Sequence, residues 1–260
     1  METVVGIFHS RADAERAVQE LYAAGIPRDR VGFLTPGATE KNIESRIPVT
    51  DAEPPGIGKA LGATVGGAIG AAGGATMGAA LASLLVPGVG PVLTLGLVGA
   101  ALLGLGGAAT GVVAGEALEE KLSEGLPHDE VFVYEDALRK GHSVVATLVP
   151  DEDTAAKVRV ILKNTRAESV DAAEENWWLG LRDSEVAHYE ESGGSFQRDE
   201  ASYRSGFKAA LHPVRRGTSF KDNERELREA YGEVAHREAF RKGYERGQAY
   251  YINVTEIYKA

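Results

Sequence analysis

Three histidines recur near the C-terminus, His188, His212 and His236, with Glu190, Glu191 and Glu238 beside them. Imidazoles and carboxylates are zinc-type ligands, so the chemistry this set could do is metal binding. A metal needs three or four such groups converging on one point. These histidines are spaced by a repeat of 24 residues, which explains their interval without a metal and yields no compact ligand motif. Each stands beside an expected turn or helix start, where an imidazole can bond to backbone. Ser10 and Ser83 are candidate nucleophiles only in name, since neither has an identifiable base and orienting acid. The chain has no cysteine, which removes disulfides and thiolate chemistry. The reading is therefore of a non-enzymatic protein with no catalytic, cofactor-binding or metal-binding residues.

The most regular feature is a glycine stripe. Gly58, Gly62, Gly66, Gly70, Gly74 and Gly78 recur every fourth residue, at the head of a charge-free stretch from Ala60 to Gly115. No Gly-Lys-Ser/Thr ending follows, so this is not a phosphate-binding loop. On a helix the six positions share one face, and small side chains there let a second backbone approach closely. The spacing predicts one helix over Gly58–Val86 and a second over Val92–Gly115, reversed by Pro87-Gly88-Val89-Gly90-Pro91. Each arm has enough residues to cross a hydrocarbon core. In water the same arms need protein cover, because glycine costs a helix roughly 0.5–1 kcal/mol per position relative to alanine.

Four regions position these features. Residues 1–56 hold the first half of an α/β domain plus a linker. A strand is predicted at Val4–Phe8, then a helix capped by Ser10 with Ala14, Ala17, Val18, Leu21 and Tyr22 inward, then a strand at Val31–Leu34. Residues 57–115 are the glycine-rich apolar helical hairpin. Residues 116–173 complete the domain: a helix bearing Val131, Tyr134 and Leu138, a strand at Ser143–Val149, a helix capped by Asp151 or Asp153 and carrying Ala156, Val160 and Ile161, and a short strand at Ala167–Val170. The two halves combine into a split ferredoxin-like α/β sandwich of the α+β class. A hairpin insertion returns the chain to its starting side, so both halves can meet.

Residues 174–260 form a repetitive aromatic helical tail. Gly193-Gly-Ser-Phe196 recurs as Gly217-Thr-Ser-Phe220, and His236 opens a third, altered copy. One turn plus one helix fits this period. Trp177, Trp178, Phe207, Tyr231 and Tyr244 are the expected interface residues, packed inside the tail or against a neighbouring subunit.

Residues 1–173 hold 22 acidic and 14 basic side chains, and the tail 16 and 14. Neither part has the basic footprint of a nucleic-acid binder. The N-terminus lacks the basic leader and long apolar run of a signal peptide.

VVGIFHSRADAERAVQELYAAGIPRDRVGFL at 4–34, the GxxxG-rich hairpin and EDALRKGHSVVATLVPDEDTAAKVRVIL at 135–162 resemble bacterial general-stress proteins of the 17M and YflT-like family. YRSGF at 203–207 and AFRKGYERG at 239–247 resemble an uncharacterised bacterial repeat associated with such proteins. The resemblance implies stress association and an α/β module, and carries over no catalytic residues. The expectation is a homo-oligomeric stress-associated assembly protein, membrane-associated through the hairpin, with its polar domains on one side of a lipid bilayer. The rivals are a soluble cytoplasmic cage, tube or filament that buries the hairpin between subunits, and a small-molecule sensor built on the ferredoxin-like sheet, its ligand unknown.

Overall fold

The computed structural model describes residues 2–37, 81–86, 90–95 and 130–257. The chain divides into two compact units, Met1–Pro127 with Tyr134–Val170, and His128–Val133 with Asp171–Ala260.

The first unit is a mixed α+β domain. Its described elements are β1 (Glu2–Phe8), α1 (Arg11–Ala23), β2 (Val31–Pro36), β3 (Leu81–Val86), β4 (Gly90–Leu95), α2 (Val131–Arg139, from Tyr134 on), β5 (Ser143–Val149) and α3 (Glu152–Asn164). Three antiparallel strands form its centre in the order β1-β5-β2, and the β4–β3 hairpin extends the β2 side. β1 and β2 are thus parallel and joined by α1, with β5 between them. After α3 the chain returns to β1 as a single antiparallel bridge, Ile7 to Glu168, with both backbone hydrogen bonds made.

The core follows from side-chain alternation. Val4, Phe8, Phe33, Val145 and Val149 pack with Ala14, Ala17, Val18 and Leu21 of α1 and with Ala155, Val158 and Leu162 of α3. Ile7, Leu34, Val144 and Ala146 occupy the alternate positions and are buried too. Gly6 lets the returning chain come close, since a Cβ there would stand 2.9 Å from that of Ala167. Both helices start on side-chain caps. Ser10 accepts from the Asp13 amide at 3.5 Å, and Asp151 accepts from the Thr154 amide at 2.8 Å and its hydroxyl at 2.7 Å. On α3 the buried set is Ala155, Val158 and Leu162, with Ile161 half-buried against it. The predicted face through Ala156 and Val160 is corrected, and Val160 is 57 % exposed.

The expected helical hairpin is corrected where it is described. Residues 81–86 and 90–95 are strands, and Val86 pairs with Gly90 across the reversal. The reason is local. The four-residue glycine spacing stops at Gly78, and two short apolar runs around a Pro/Gly cluster suit a strand hairpin equally well. Pro91 lacks the N–H a continuing ladder would use, but the β2 partners end at Pro36 opposite Val92, so no β2 bond is lost. Gly58, Gly62, Gly66, Gly70, Gly74 and Gly78 lie outside the described residues. The membrane reading is overturned as well. Part of each supposed spanning arm is strand, and among the described residues no helix is long and apolar enough to cross a membrane.

The second unit carries α4 (Val170–Glu191), α5 (Phe196–Leu211), α6 (Phe220–Tyr231) and α7 (Glu238–Ile257). The helix-start period holds for Phe196 and Phe220, and the third helix begins early, at Glu238. Gly193 and Gly217 occupy the same repeat position with φ of +82° and +75°, which a side chain would strain. The tightest packing is between α5 and α7. Tyr203-Arg-Ser-Gly206-Phe207 and Phe240-Arg-Lys-Gly243-Tyr244 share an aromatic-Arg-x-Gly-aromatic pattern. A Cβ on Gly206 would fall on the Phe240 carbonyl oxygen, and one on Gly243 on the Tyr203 carbonyl oxygen. Further along, a Cβ on Gly247 would lie 2.5 Å from the Phe207 carbonyl oxygen. The contacts advance together along both helices, so α5 and α7 run in the same sense, related by local two-fold pseudosymmetry.

Candidate functional site in the helical unit

Each of three helices contributes one polar group to a buried cluster. Glu185 of α4 is 1 % exposed. It accepts from the Tyr203 hydroxyl of α5 at 2.8 Å and from Nε of Arg246 of α7 at 2.9 and 3.1 Å. A buried carboxylate is tolerable only when paired in this way. Burial, then the neighbouring Glu185, push the Tyr203 hydroxyl far above the usual phenol range. It is a fixed donor to Glu185 and no proton carrier near neutral pH.

Arg246 uses Nε on Glu185, and its two Nη groups make no hydrogen bond with a described residue. The side chain lines a cavity of about 280 Å³ together with His188, Tyr189, Tyr203, Lys242 and Glu245. Lys242 Nζ reaches Ser192 Oγ at 3.0 Å and Glu238 at 3.3 Å, and stands 5.4 Å from the Tyr189 ring centre. The Tyr189 hydroxyl donates to Asp199 at 3.0 Å. Its pKa is pushed up to about 12, first by burial and then by that carboxylate. The cavity is thus lined by the cations Arg246 and Lys242 and by the rings of Tyr189 and Tyr203, with no activated nucleophile.

The neighbouring polar groups neutralise one another. Arg182 forms a two-point contact with Glu200 at 2.7 and 2.8 Å, and the Trp178 indole donates to the same carboxylate at 3.1 Å. The Arg182 bond, ahead of the Trp178 bond, holds Glu200 below its ordinary pKa. Arg204 pairs with Glu174 and Glu175, and Lys208 with Glu174.

The histidines do not converge. His188 lines the cavity, His212 accepts from the Val214 amide through Nδ1 at 3.4 Å, and His236 closes a short 3-10 turn. Among the described residues no group of three or more histidines, cysteines or acids could hold a metal. Ser10 is a helix cap and Ser83 lies on β3. Trp177, Trp178, Phe207 and Tyr244 are at most 3 % exposed, and Tyr231 is half-buried. Trp177 stands 5.8 Å and Trp178 5.9 Å from Phe207, centre to centre, and Tyr231 packs 5.1 Å from Phe240. The rings face one another within the unit, so they give no support to the expected self-association.

Sequence reasoning missed a corner of the α/β unit. His9 follows β1 and His142 precedes β5, so pairing of Phe8 with Ser143 brings their rings to 4.1 Å. His9 Nε2 lies 3.1 Å from Glu168. The signal was present, since each histidine abuts a predicted strand end. Glu185 and Arg246 gave no signal, because single charges on two separate helices carry no periodicity. Comparison with protein-family models, curated proteins and solved structures finds no match for this chain.

Proposed function

We propose that the protein is a non-enzymatic small-molecule sensor whose ligand pocket lies in the helical unit. The observation that carries this is Arg246, anchored through Nε on buried Glu185 while its outer nitrogens remain available beside a cavity walled by Tyr189 and Tyr203. A few oriented polar groups against an aromatic wall are the usual make-up of a binding site. No nucleophile–base pair accompanies them, which favours binding over turnover. The β1-α1-β2 crossover around β5, with the bridge at Glu168 in the place of a fourth strand, supports a ferredoxin-like reading of the other unit. The stress association rests on the resemblance of residues 4–34 and 135–162 alone.

The test is a fragment screen of the full chain by saturation-transfer NMR. Hits should compete with one another and weaken in Ala249→Leu, which narrows the cavity wall. A screen without saturable hits, or hits indifferent to Ala249→Leu, would reject the pocket.

A further inference from the structure

Resting on that reading, we infer that the cavity takes a small organic carboxylate, its two oxygens on the Arg246 fork and its apolar body along Tyr189, with Lys242 as a second cation in the lining. Hydrogen-bond supply decides the ligand's charge. Arg246 presents four Nη hydrogens with no acceptor among the described residues. Lys242 has three donors, gives one to Ser192 and forms an ion pair with the exposed Glu238. Two cationic side chains lining one cavity call for an acceptor-rich partner, and a guanidinium pairs best with a planar two-oxygen anion.

The acids around the cavity do not cancel this supply. Glu185 lies behind Arg246 and holds its Nε, which orients the fork. Glu245 is turned to Arg241 at 3.2 Å, and Glu238 is bonded to Lys242 from an exposed position. Those same acids argue against a dianion, whose desolvation beside them would cost more than that of one carboxylate. About 280 Å³ suits a single small ring or a short chain. The rings of Tyr189 and Tyr203 provide the apolar contact that an inorganic anion could not use.

The experiment is calorimetric titration of the full chain with sodium benzoate, its neutral isostere benzamide, and inorganic phosphate. Benzoate should bind saturably, with benzamide at least tenfold weaker and phosphate weaker still. Arg246→Lys keeps a cation beside Glu185 but removes the fork, so benzoate affinity should fall at least tenfold while circular dichroism is unchanged. Lys242→Met, which leaves the Glu185 cluster intact, should weaken benzoate severalfold and serves if the arginine variant misfolds. Equal binding of benzamide would sink the carboxylate while leaving the pocket in place. Phosphate binding above benzoate would replace the class with an inorganic anion. No binding of any probe would overturn the inference, and the fragment screen would separately decide whether the cavity binds anything.

Discussion

Gly243 sits so close to Tyr203 that a methyl group on it would fall on the Tyr203 carbonyl oxygen. Gly206 stands in the same relation to Phe240 one pseudosymmetric step away. Two backbones in contact cannot yield as a flexible side-chain tip can. Gly243→Ala should therefore destabilise the helical unit by at least about 2 kcal/mol. Gly180 offers the contrast, because it lies on α4 with nothing within 4 Å of an added Cβ. Gly180→Ala should be stabilising by roughly 0.5–1 kcal/mol through helix propensity alone. Urea unfolding of the two variants checks both signs, and equal effects would mean that α5 and α7 do not approach this closely.

Removing Glu185 leaves the half-buried Arg246 without its counter-charge and the Tyr203 hydroxyl without an acceptor. Glu185→Ala should cost about 2–4 kcal/mol. Glu185→Gln keeps an acceptor for Tyr203 and should cost less. The order of the two melting temperatures is the readout, and a neutral Glu185→Ala would show that the cluster is not buried as described.

The two helix caps differ in strength by their geometry. Asp151 makes two short bonds to Thr154, whereas the Ser10 hydroxyl is 3.5 Å from its amide. Asp151→Ala should therefore lower stability more than Ser10→Ala does. Chemical denaturation at neutral pH ranks them, and a larger loss for Ser10 would contradict the distances.

His142 gives the α/β unit a pH dependence of defined sign. Burial, then the neighbouring His9, lower its pKa below the ordinary histidine value. The unfolded chain therefore binds this proton more readily than the folded one. Stability is complete above about pH 6.5 and declines as pH falls through that value toward the lower folded pKa. His142→Gln removes the contribution, so the stability of the native chain relative to the variant should fall between pH 7.5 and pH 5. A difference that stays flat or grows would reverse the assignment.

Much of the first unit was legible because its signals are local. Short continuous apolar runs marked β1, β2 and β5, and Ser10 and Asp151 or Asp153 marked helix starts. The α3 face was misread because Val160 and Ile161 are apolar by type, while the core selects positions 155, 158 and 162 by angle. The hairpin was misread because short apolar runs of alanine, leucine and glycine fit either helix or strand. Backbone pairing with β2 decides between them, and that partner is remote in the chain.

The amino-acid order alone determined β1, β2, β5, α1 and α3 of the first unit, the caps, and the turn glycines at 193 and 217, since each depends on a few adjacent residues. Only the tertiary structure decided that β5 lies between β1 and β2, that small residues on α5 and α7 bring two backbones together, and that Glu185, Tyr203 and Arg246 share one buried point. Those relationships join residues tens of positions apart. They are fixed by hydrogen-bond pairing and close packing, which act through space and leave no period in the chain.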